Sequence, residues 1–407
     1  AVVIGSGKTV TFDDSTAGRT GTAQTGTVNI TTLTGGSLEV TNGALSTTSV
    51  NVTNLNTSSG TTLTASTGVT VAPASGTTNT IAGVLAGGTL TKNGAGTLTL
   101  TGNNTYTGAT TVSAGRLVVA HNTALGSTAA GTTVASGATL DLQNVAVGAE
   151  QITLAGGTLT DVTSSLAGDI ILTANSNLGA TNVGDTLTLS GVISGNYGIT
   201  KIGAGTVVLS GANTYTGATN INAGTLSVTG SLNDTTAVTV ASGATYSVGA
   251  DDTIASVAGA GAVNLNSYTL TVGDANSTTY SGVMSGTGNL IKQGAGTLTM
   301  SGANTYTGGT TINAGTLALG ASNVLADTGA LNIAGGTFAM GAYNETVGVI
   351  DISSGQVTGT GVLRASTYGF SNTSGTITIA SVIAGDVGIT KTGAGTLVLS
   401  GANTYTG

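Results

Sequence analysis

Few residues in this 407-residue chain could do chemistry, and none stands in a complete catalytic motif. The single histidine, His121, would have to be the base of any Ser-His-Asp site, because that mechanism needs an imidazole beside the serine. No serine lies in a Gly-x-Ser-x-Gly nucleophile turn. His121 follows the strand-like segment Leu117–Ala120, so we interpret it as a solvated or capping loop residue.

The stretch GSGKT, from Gly5 to Thr9, resembles the end of a phosphate-binding P-loop. The full motif needs a glycine five residues before Gly7, and the chain has Val2 there. The residues that follow, up to Phe12, are typical of a strand rather than of a helix whose N-terminus would hold phosphate. We therefore predict a plain turn and no nucleotide site.

Two pairs of adjacent carboxylates, Asp13-Asp14 and Asp251-Asp252, are the candidates for an acid–base dyad of a carbohydrate-cleaving enzyme. Adjacent residues on a strand point to opposite faces, so neither pair converges by itself. We interpret both as turn residues or weak cation contacts. The EF-hand loop and the Gly-Gly-x-Gly-x-Asp repeat are both missing from the sequence. We predict no catalytic, cofactor-binding or metal-binding residues and no enzyme activity.

Composition excludes several classes of partner. Only 6% of residues are charged, against about 25% in a typical soluble protein. The net charge is −8 with eight basic residues, so binding to nucleic acid or to an anionic membrane is not expected. Cysteine is missing, which removes disulfides and thiolate sites. No apolar run reaches the ~18 residues of a membrane-spanning helix.

The elements that must position any site are short strands. Segments such as TLTLT (Thr97–Thr101) and TITIA (Thr376–Ala380) alternate apolar and hydroxyl residues, with glycine, asparagine or Ser-Gly between them. Units that recur at a near-fixed spacing favour a parallel β-helix over a sandwich or barrel. With roughly 20 residues per coil, we expect about 20 coils and a rod on the order of 90–100 Å long. We divide the chain into atypical coils at 1–77 and a repeat-bearing β-helix at 78–407.

One phrase is written repeatedly. SGANTYTG occurs at Ser210–Gly217, Ser301–Gly308 and Ser400–Gly407, and TGNNTYTG at Thr101–Gly108. Its asparagine is predicted to occupy corners, where it tolerates left-handed backbone and can hydrogen-bond neighbouring coils. The residues concerned are Asn104, Asn213, Asn304 and Asn403.

Tyrosine and lysine also recur once per copy. The tyrosine could be a sugar- or receptor-stacking surface, but one per unit favours a structural packing role. The lysines lie about five coils apart, roughly 24 Å, which is too wide for one small ligand. We predict that they are solvated charges that discourage side-by-side sheet association. The residues are Tyr106, Tyr215, Tyr306 and Tyr405, and Lys92, Lys201, Lys292 and Lys391.

The longer phrase GAGTLTLTGNNTYTGATTVSAGRL (Gly94–Leu117) resembles the passenger-associated transport repeat of autotransporter adhesins. Matching copies cover 203–226, 294–317 and, truncated, 393–407. The resemblance implies a right-handed β-helical passenger of a Gram-negative bacterium, exported by the type V route and located at the cell surface or released. It also implies an outer-membrane β-barrel translocator, a pattern that is not found in this sequence.

We therefore expect a structural, adhesive surface protein that acts by extended contact, with an unknown host or neighbouring-cell ligand and possible self-association. Two alternatives stay open. One is a self-assembling extracellular filament or surface-layer subunit, and the other is the stalk of a β-helical carbohydrate-active enzyme. If each copy templates a coil during export, scrambling the copies should impair export.

Overall fold

The computed structural model describes residues 2–12 and 27–407, and every regular element in these ranges is a β-strand. Among these residues no helix is long and apolar enough to cross a membrane. The pair Asp13-Asp14 lies outside the described residues. The chain groups into two compact units, Ala1–Tyr215 and Thr216–Gly407. The division expected after residue 77 stays a prediction.

Unit 1 contains the first 22 strands. They are β1 (Val2–Phe12), β2 (Thr27–Val40), β3 (Ala44–Val52), β4 (Asn54–Thr57), β5 (Thr62–Val71), β6 (Thr78–Ile81), β7 (Val84–Lys92), β8 (Thr97–Leu100), β9 (Thr110–Val112), β10 (Arg116–Val119), β11 (Thr132–Ala135), β12 (Thr139–Gln143), β13 (Ala146–Val147), β14 (Ile152–Ala155), β15 (Thr158–Val162), β16 (Ser164–Leu166), β17 (Ile170–Ala174), β18 (Ser176–Gly179), β19 (Thr186–Leu189), β20 (Ile193–Ser194), β21 (Ile199–Ile202) and β22 (Thr206–Leu209).

Unit 2 contains the remaining strands, most of which are short. They are β23 (Thr219–Ile221), β24 (Thr225–Val228), β25 (Ala237–Val240), β26 (Thr245–Val248), β27 (Asp252–Ile254), β28 (Ser256–Gly259), β29 (Ala262–Asn264), β30 (Thr269–Val272), β31 (Thr278–Tyr280), β32 (Met284–Ser285), β33 (Asn289–Lys292), β34 (Thr297–Met300), β35 (Gly309–Ile312), β36 (Thr316–Leu319), β37 (Ala330–Ala339), β38 (Glu345–Thr358), β39 (Val362–Phe370), β40 (Thr376–Ile379), β41 (Val382–Gly385), β42 (Ile389–Lys391), β43 (Thr396–Leu399) and β44 (Thr404–Tyr405).

Strands stack in parallel, each on the equivalent strand of the next coil. In unit 1, Leu98 pairs with Leu117, Leu117 with Leu140, and Leu140 with Leu159. Each step along this ladder advances the chain by roughly 20 residues, in agreement with the predicted coil length. All four leucines are fully buried. The chain is therefore an all-β parallel β-solenoid, as predicted.

The interior of the solenoid follows from the alternation in sequence. In TLTL of β8 and β19, the two leucines are buried while the threonines are partly exposed. The same holds in unit 2, where the buried Leu290 of β33 stacks on Leu270 of β30. Burying these stacked apolar side chains stabilises the fold by about 25 cal/mol per Å² of apolar surface removed from water, and the hydroxyl residues cover the outside.

The GSGKT segment is not the predicted turn. It lies inside β1, which pairs in parallel with β2. The register changes between Ile4, opposite Gly35, and Thr9, opposite Ser37. Strand β1 advances further than β2 over this stretch, which marks a bulge, so the glycines fit an irregular strand.

Candidate functional site: the repeated motif coil

Each copy of the repeated phrase builds the same polar group inside the solenoid, which we call the motif coil. It comprises the lysine before the GAG phrase, the asparagine and tyrosine of NTYTG and, in the first and third copies, a threonine in the strand that follows. These residues are Lys92, Asn104, Tyr106 and Thr110; Lys201, Asn213 and Tyr215; Lys292, Asn304, Tyr306 and Thr310; and Lys391, Asn403 and Tyr405.

The prediction that the lysines are solvated charges is wrong for the first three copies. Lys92, Lys201 and Lys292 are 0%, 0% and 2% exposed. In β7, burial alternates so that Leu90 and Lys92 both point inward. Each of these lysines therefore sits on the apolar side of its strand, where the period of two places it.

A ring of backbone carbonyls holds the buried ammonium. Lys92 Nζ donates to the carbonyl oxygens of Asn93 at 2.9 Å, Gly94 at 2.9 Å and Ala114 at 3.0 Å. An ammonium has three N–H donors and no acceptor, so three carbonyls satisfy it. Burial lowers the pKa of Lys92 to about 8, which still leaves the group largely charged at neutral pH. Lys92 thus ties its own turn to the following coil.

The third copy repeats this arrangement in unit 2. Lys292 Nζ donates to the carbonyl oxygens of Gln293 at 2.6 Å, Gly294 at 2.9 Å and Ala314 at 3.4 Å. Burial also lowers the pKa of Lys292. Within unit 1, Lys201 donates to Ile202 and Gly203 at 2.9 and 2.8 Å. The second and third copies therefore hold their ammonium groups by the same kind of contact as the first.

The glycines around the lysine are required by the close approach of the two turns. Gly94 and Gly115 have φ of 74° and 65°, in the left-handed region that favours glycine. A Cβ on Gly115 would lie 2.8 Å from Lys92 Nζ and 2.4 Å from the oxygen of Gly96. The GAG and SAG phrases of the repeat therefore make room for the ammonium.

The asparagine links three successive coils. Asn104 is buried; its Oδ1 accepts from the N–H of Leu85 at 2.8 Å, and its Nδ2 donates to the carbonyl of Ala124 at 2.7 Å. The predicted hydrogen bonds to neighbouring coils are thus present. The predicted left-handed backbone is wrong, because the asparagines with positive φ are Asn144, Asn266 and Asn323.

Asn304 makes the same link in unit 2. Its Oδ1 accepts from the N–H of Met284 at 2.7 Å, and its Nδ2 donates to the carbonyl of Val324 at 2.8 Å. Asn213 accepts from Ile193 at 3.0 Å, and Asn403 from Ile383 at 2.9 Å. The acceptor bond to the preceding coil is therefore common to all four copies.

The tyrosines have the packing role that the sequence favours. Tyr106 and Tyr306 are each 1% exposed. Their hydroxyls lie 2.6 Å from Thr110 Oγ1 and 2.5 Å from Thr310 Oγ1. Burial raises the pKa of both tyrosines, so they stay neutral. They are not available to stack on an external sugar.

In the fourth copy the same residues are less covered. Lys391 donates to the carbonyls of Thr392 at 2.6 Å and Gly393 at 2.9 Å, while its side chain and that of Tyr405 are half-buried. Lys391 Nζ also lies 3.5 Å from the carbonyl oxygen of Asn372 in the preceding coil, so the fourth copy keeps the lysine–carbonyl contacts of the motif.

Buried carboxyl groups near the motif coils were not predicted. Glu345 is 0% and Asp252 is 8% exposed. Burial raises the pKa of Glu345 to about 7 and that of Asp252 to about 6. The signal was present in the alternation, because Val347 and Ile254 follow two residues later and also point inward.

The other candidate residues do not converge. Asp251 is exposed and Asp252 is buried, so this pair points to opposite faces as predicted, although Asp252 begins β27 rather than lying in a turn. His121 lies in the loop after β10, where its Nδ1 accepts from the N–H of Thr123 at 3.3 Å. Within residues 2–12 and 27–407, no group of three or more metal-ligating side chains comes together.

The outer surface offers polar side chains and a few exposed aromatics. Tyr197, Tyr268 and Tyr343 are 43%, 38% and 40% exposed. None of the three belongs to a motif coil. Exposed tyrosine provides apolar contact area together with a hydroxyl, so these are the surface residues best suited to bind another molecule.

Fold and motif together define the class of the protein: a parallel β-solenoid with repeated internal polar coils. The family model of the passenger-associated-transport-repeat matches residues 90–119, 199–228, 290–319 and 389–407. All four motif coils lie within these matches, so the resemblance found in the sequence is confirmed. The chain carries four passenger-associated transport repeats.

Over 332 residues, or 78% of this chain, the sequence is 34% identical to the "Adhesin BmaC autotransporter" of Brucella suis biovar 1 (strain 1330). The chain spans 9% of the length of that relative. No solved structure matches the chain. The repeat and the relationship place the chain at the cell surface or outside the cell, as predicted.

Proposed function

We propose that the chain is an adhesive part of an autotransporter passenger, which binds other cells or surfaces by extended contact. The observation that carries this proposal is the similarity to an autotransporter adhesin over 78% of the chain. The fold supports it, because the motif residues of the first three copies are buried and the outside presents hydroxyl side chains with scattered tyrosines.

The interior and the surface then have separate tasks. The motif coils hold successive turns together through Lys92, Asn104 and their counterparts, so they maintain the scaffold. The exposed Tyr197, Tyr268 and Tyr343 make the contacts, since aromatic residues are enriched among the residues that dominate binding energy. We propose no catalytic step, because the candidate residues His121, Asp251 and Asp252 have separate, structural surroundings.

Export supplies a second task for the motif coils. In the whole protein we expect an outer-membrane translocator through which this segment passes unfolded. Asn104 and Asn304 each bond to the coil that precedes them and to the coil that follows them, so a newly exported copy can dock on whichever neighbouring coil has already formed. Scrambling the four copies should then slow export while leaving synthesis unchanged.

The adhesive role is tested with the 407-residue chain immobilised on fluorescent beads. We expect the beads to bind cultured cells above albumin-coated beads. Replacing Tyr197, Tyr268 and Tyr343 together by serine should reduce binding by at least ~10-fold, because buried aromatic contacts contribute about 2 kcal/mol or more each when they dominate an interface. The buried Tyr306→Phe variant is the control and should bind normally.

Each outcome has a distinct meaning. Beads that bind no better than albumin beads contradict the adhesive function. Binding that survives the triple substitution contradicts the assignment to the tyrosines. Beads that clump with one another and ignore cells favour self-association, the alternative that the sequence left open.

A further inference from the structure

Glu345 is a carboxyl group inside the solenoid, and no cationic side chain in residues 2–12 or 27–407 forms an ion pair with it. It opens β38, and Val347, two residues later, points into the same interior. Its Oε2 accepts from the N–H of Val324 at 2.9 Å, and its Oε1 accepts from the N–H of Leu325 at 3.3 Å. The carboxyl therefore continues the hydrogen-bonded column that Asn304 begins, since Asn304 also bonds to Val324.

The titratable and charged groups around Glu345 do not neutralise it. Asp327 disfavours its negative charge, and the buried Tyr306 beside it stays neutral, so neither balances that charge. Arg364, on the adjoining strand β39, is opposite Thr346 and points to the exposed face. Among the described residues the ion pair is Arg116 with Asp141, in the other unit. A charged Glu345 is therefore buried without a counter-ion.

Asp252 has the same type of surroundings earlier in unit 2. Its carboxylate accepts from the N–H of Leu232 at 3.1 Å and from the N–H of Thr253 at 3.0 Å. The groups that face it are Asp234, which opposes its charge, and Tyr246, whose hydroxyl favours the charge. Asp251 points outward. Within the part of the chain that the structure describes, no cationic side chain forms an ion pair with Asp252 to balance a buried negative charge.

The arrangement recurs in unit 1, which argues against a local accident. Glu150 is 1% exposed, and its Oε1 accepts from Thr132 Oγ1 at 2.7 Å. The negative charge of Glu150 helps to raise the pKa of Tyr106, as that of Glu345 helps to raise the pKa of Tyr306. A buried acid thus accompanies the motif tyrosine in both units.

We propose that Glu345 and Asp252 form an acid-strengthened lock, which takes up protons as the surroundings change from pH 8 to pH 5 and makes unit 2 harder to unfold. This inference does not rest on the adhesive function. When Glu345 is protonated, its carbonyl oxygen can still accept from the backbone N–H of Val324, and protonated Asp252 can likewise accept from Leu232. Protonation also removes the free-energy cost of an unpaired buried charge.

The direction follows from linkage. The folded-state pKa of Glu345 is about 7, against an ordinary 4.5, and that of Asp252 is about 6, against 3.8. A group whose folded pKa is raised contributes stability that is complete below its unfolded pKa and is lost as the pH rises through its folded pKa. Lys292, whose pKa burial lowers, has the opposite sign, so a variant must isolate the acids.

The test is urea unfolding of the full chain, followed by circular dichroism, at pH 5.0 and 7.5. We expect the unfolding equilibrium constant of the chain to fall by at least ~10-fold on acidification. Glu345→Gln imitates the protonated acid, so it should reduce this dependence and be no less stable than the native chain at pH 7.5. Asp351→Asn is the matched control: Asp351 lies on the same strand but is exposed, and its substitution should leave the dependence intact.

A native chain that unfolds more easily at pH 5.0 than at 7.5 overturns the proposal, as does a Glu345→Gln chain with the full native dependence. If Glu345→Gln fails to fold, difference infrared spectra of the native chain and of Asp252→Asn decide the matter. A protonated-carboxyl band that appears in the native chain between pH 7.5 and 5.0 and weakens in Asp252→Asn supports the lock. A native spectrum without that band refutes it.

Discussion

Two regions of the interior hold successive coils together by different means. In unit 1, Leu117, Leu140 and Leu159 form a column of stacked, fully buried apolar side chains. In unit 2, Met284, Asn304, Val324 and Glu345 form a hydrogen-bonded column across four successive coils. Apolar contact is non-directional, whereas a buried hydrogen bond has one geometry. The leucine column contributes hydrophobic stabilisation, and the motif column fixes the register between successive coils.

The largest effect should come from opening a cavity in the apolar column. Leu159→Ala removes a fully buried side chain between two stacked coils, and such changes cost about 2–5 kcal/mol. Val118→Ala, on strand β10 of the same ladder but half-buried and outward-facing, is the matched control and should cost less than ~1 kcal/mol. Urea midpoints measured by circular dichroism compare the two. Equal losses would show that the leucine column is not the source of stability.

Breaking the polar column should cost less but should act more locally. Asn304→Ala leaves the N–H of Met284 without the amide oxygen that now lies 2.7 Å away. A buried unsatisfied donor costs about 1–3 kcal/mol. Hydrogen exchange should show reduced protection at the N–H of Met284, which loses its acceptor.

The control for this change is Asn276→Ala, at an exposed turn where the side chain bonds to Asp274. It should leave exchange at Met284 unchanged. Loss of protection spread evenly over unit 2 after Asn304→Ala would contradict the view that this column sets local register.

Lys292→Met tests the ammonium within its ring of carbonyls. The substitution leaves the oxygens of Gln293, Gly294 and Ala314 without their donor, and we expect a loss of about 1–2 kcal/mol. Lys391→Met changes the half-buried counterpart in the fourth copy and should cost less than half as much. Proteolysis rates at the Gly294 turn measure the difference. If Lys292→Met resists proteolysis better than the native chain, the free-energy cost of burying the charge exceeds the stabilisation from its three hydrogen bonds.

The lysines also show how far the sequence can be interpreted. Period-two alternation predicted the strands, and repeat spacing predicted the solenoid, whereas the coil length of roughly 20 residues was an assumption that the ladders support. The same alternation places Lys92 two residues after Leu90 and Lys292 two after Leu290, on the inward face. The charge of these lysines favours exposure, whereas their position in the alternation favours burial. The prediction of solvated lysines followed the charge, and it was wrong for the first three copies.

What the sequence could not provide is the set of partners across coils. One carbonyl that accepts from Lys92 Nζ belongs to Ala114 in the next coil. It is a backbone group, so the residue type at position 114 does not predict it. Glu345 is inward by alternation, but its bonds to Val324 and Leu325 depend on a turn in the coil before it. Register between successive coils decides such pairs, and the loop lengths, which differ from coil to coil, set that register.

The smallest expected effect separates packing from hydrogen bonding at the motif tyrosine. Tyr306→Phe keeps the buried ring and removes only the hydroxyl that bonds to Thr310, so the loss should be about 1 kcal/mol. Tyr343→Phe, at an exposed position, should change the urea midpoint by less than the measurement error. Tyr306→Ala, which also removes the ring, should cost about 3–5 kcal/mol. If Tyr306→Phe costs as much as Tyr306→Ala, the hydroxyl bond holds the coil. If Tyr306→Phe costs nothing, the tyrosine contributes through packing alone, and the polar column of the motif ends at the asparagine.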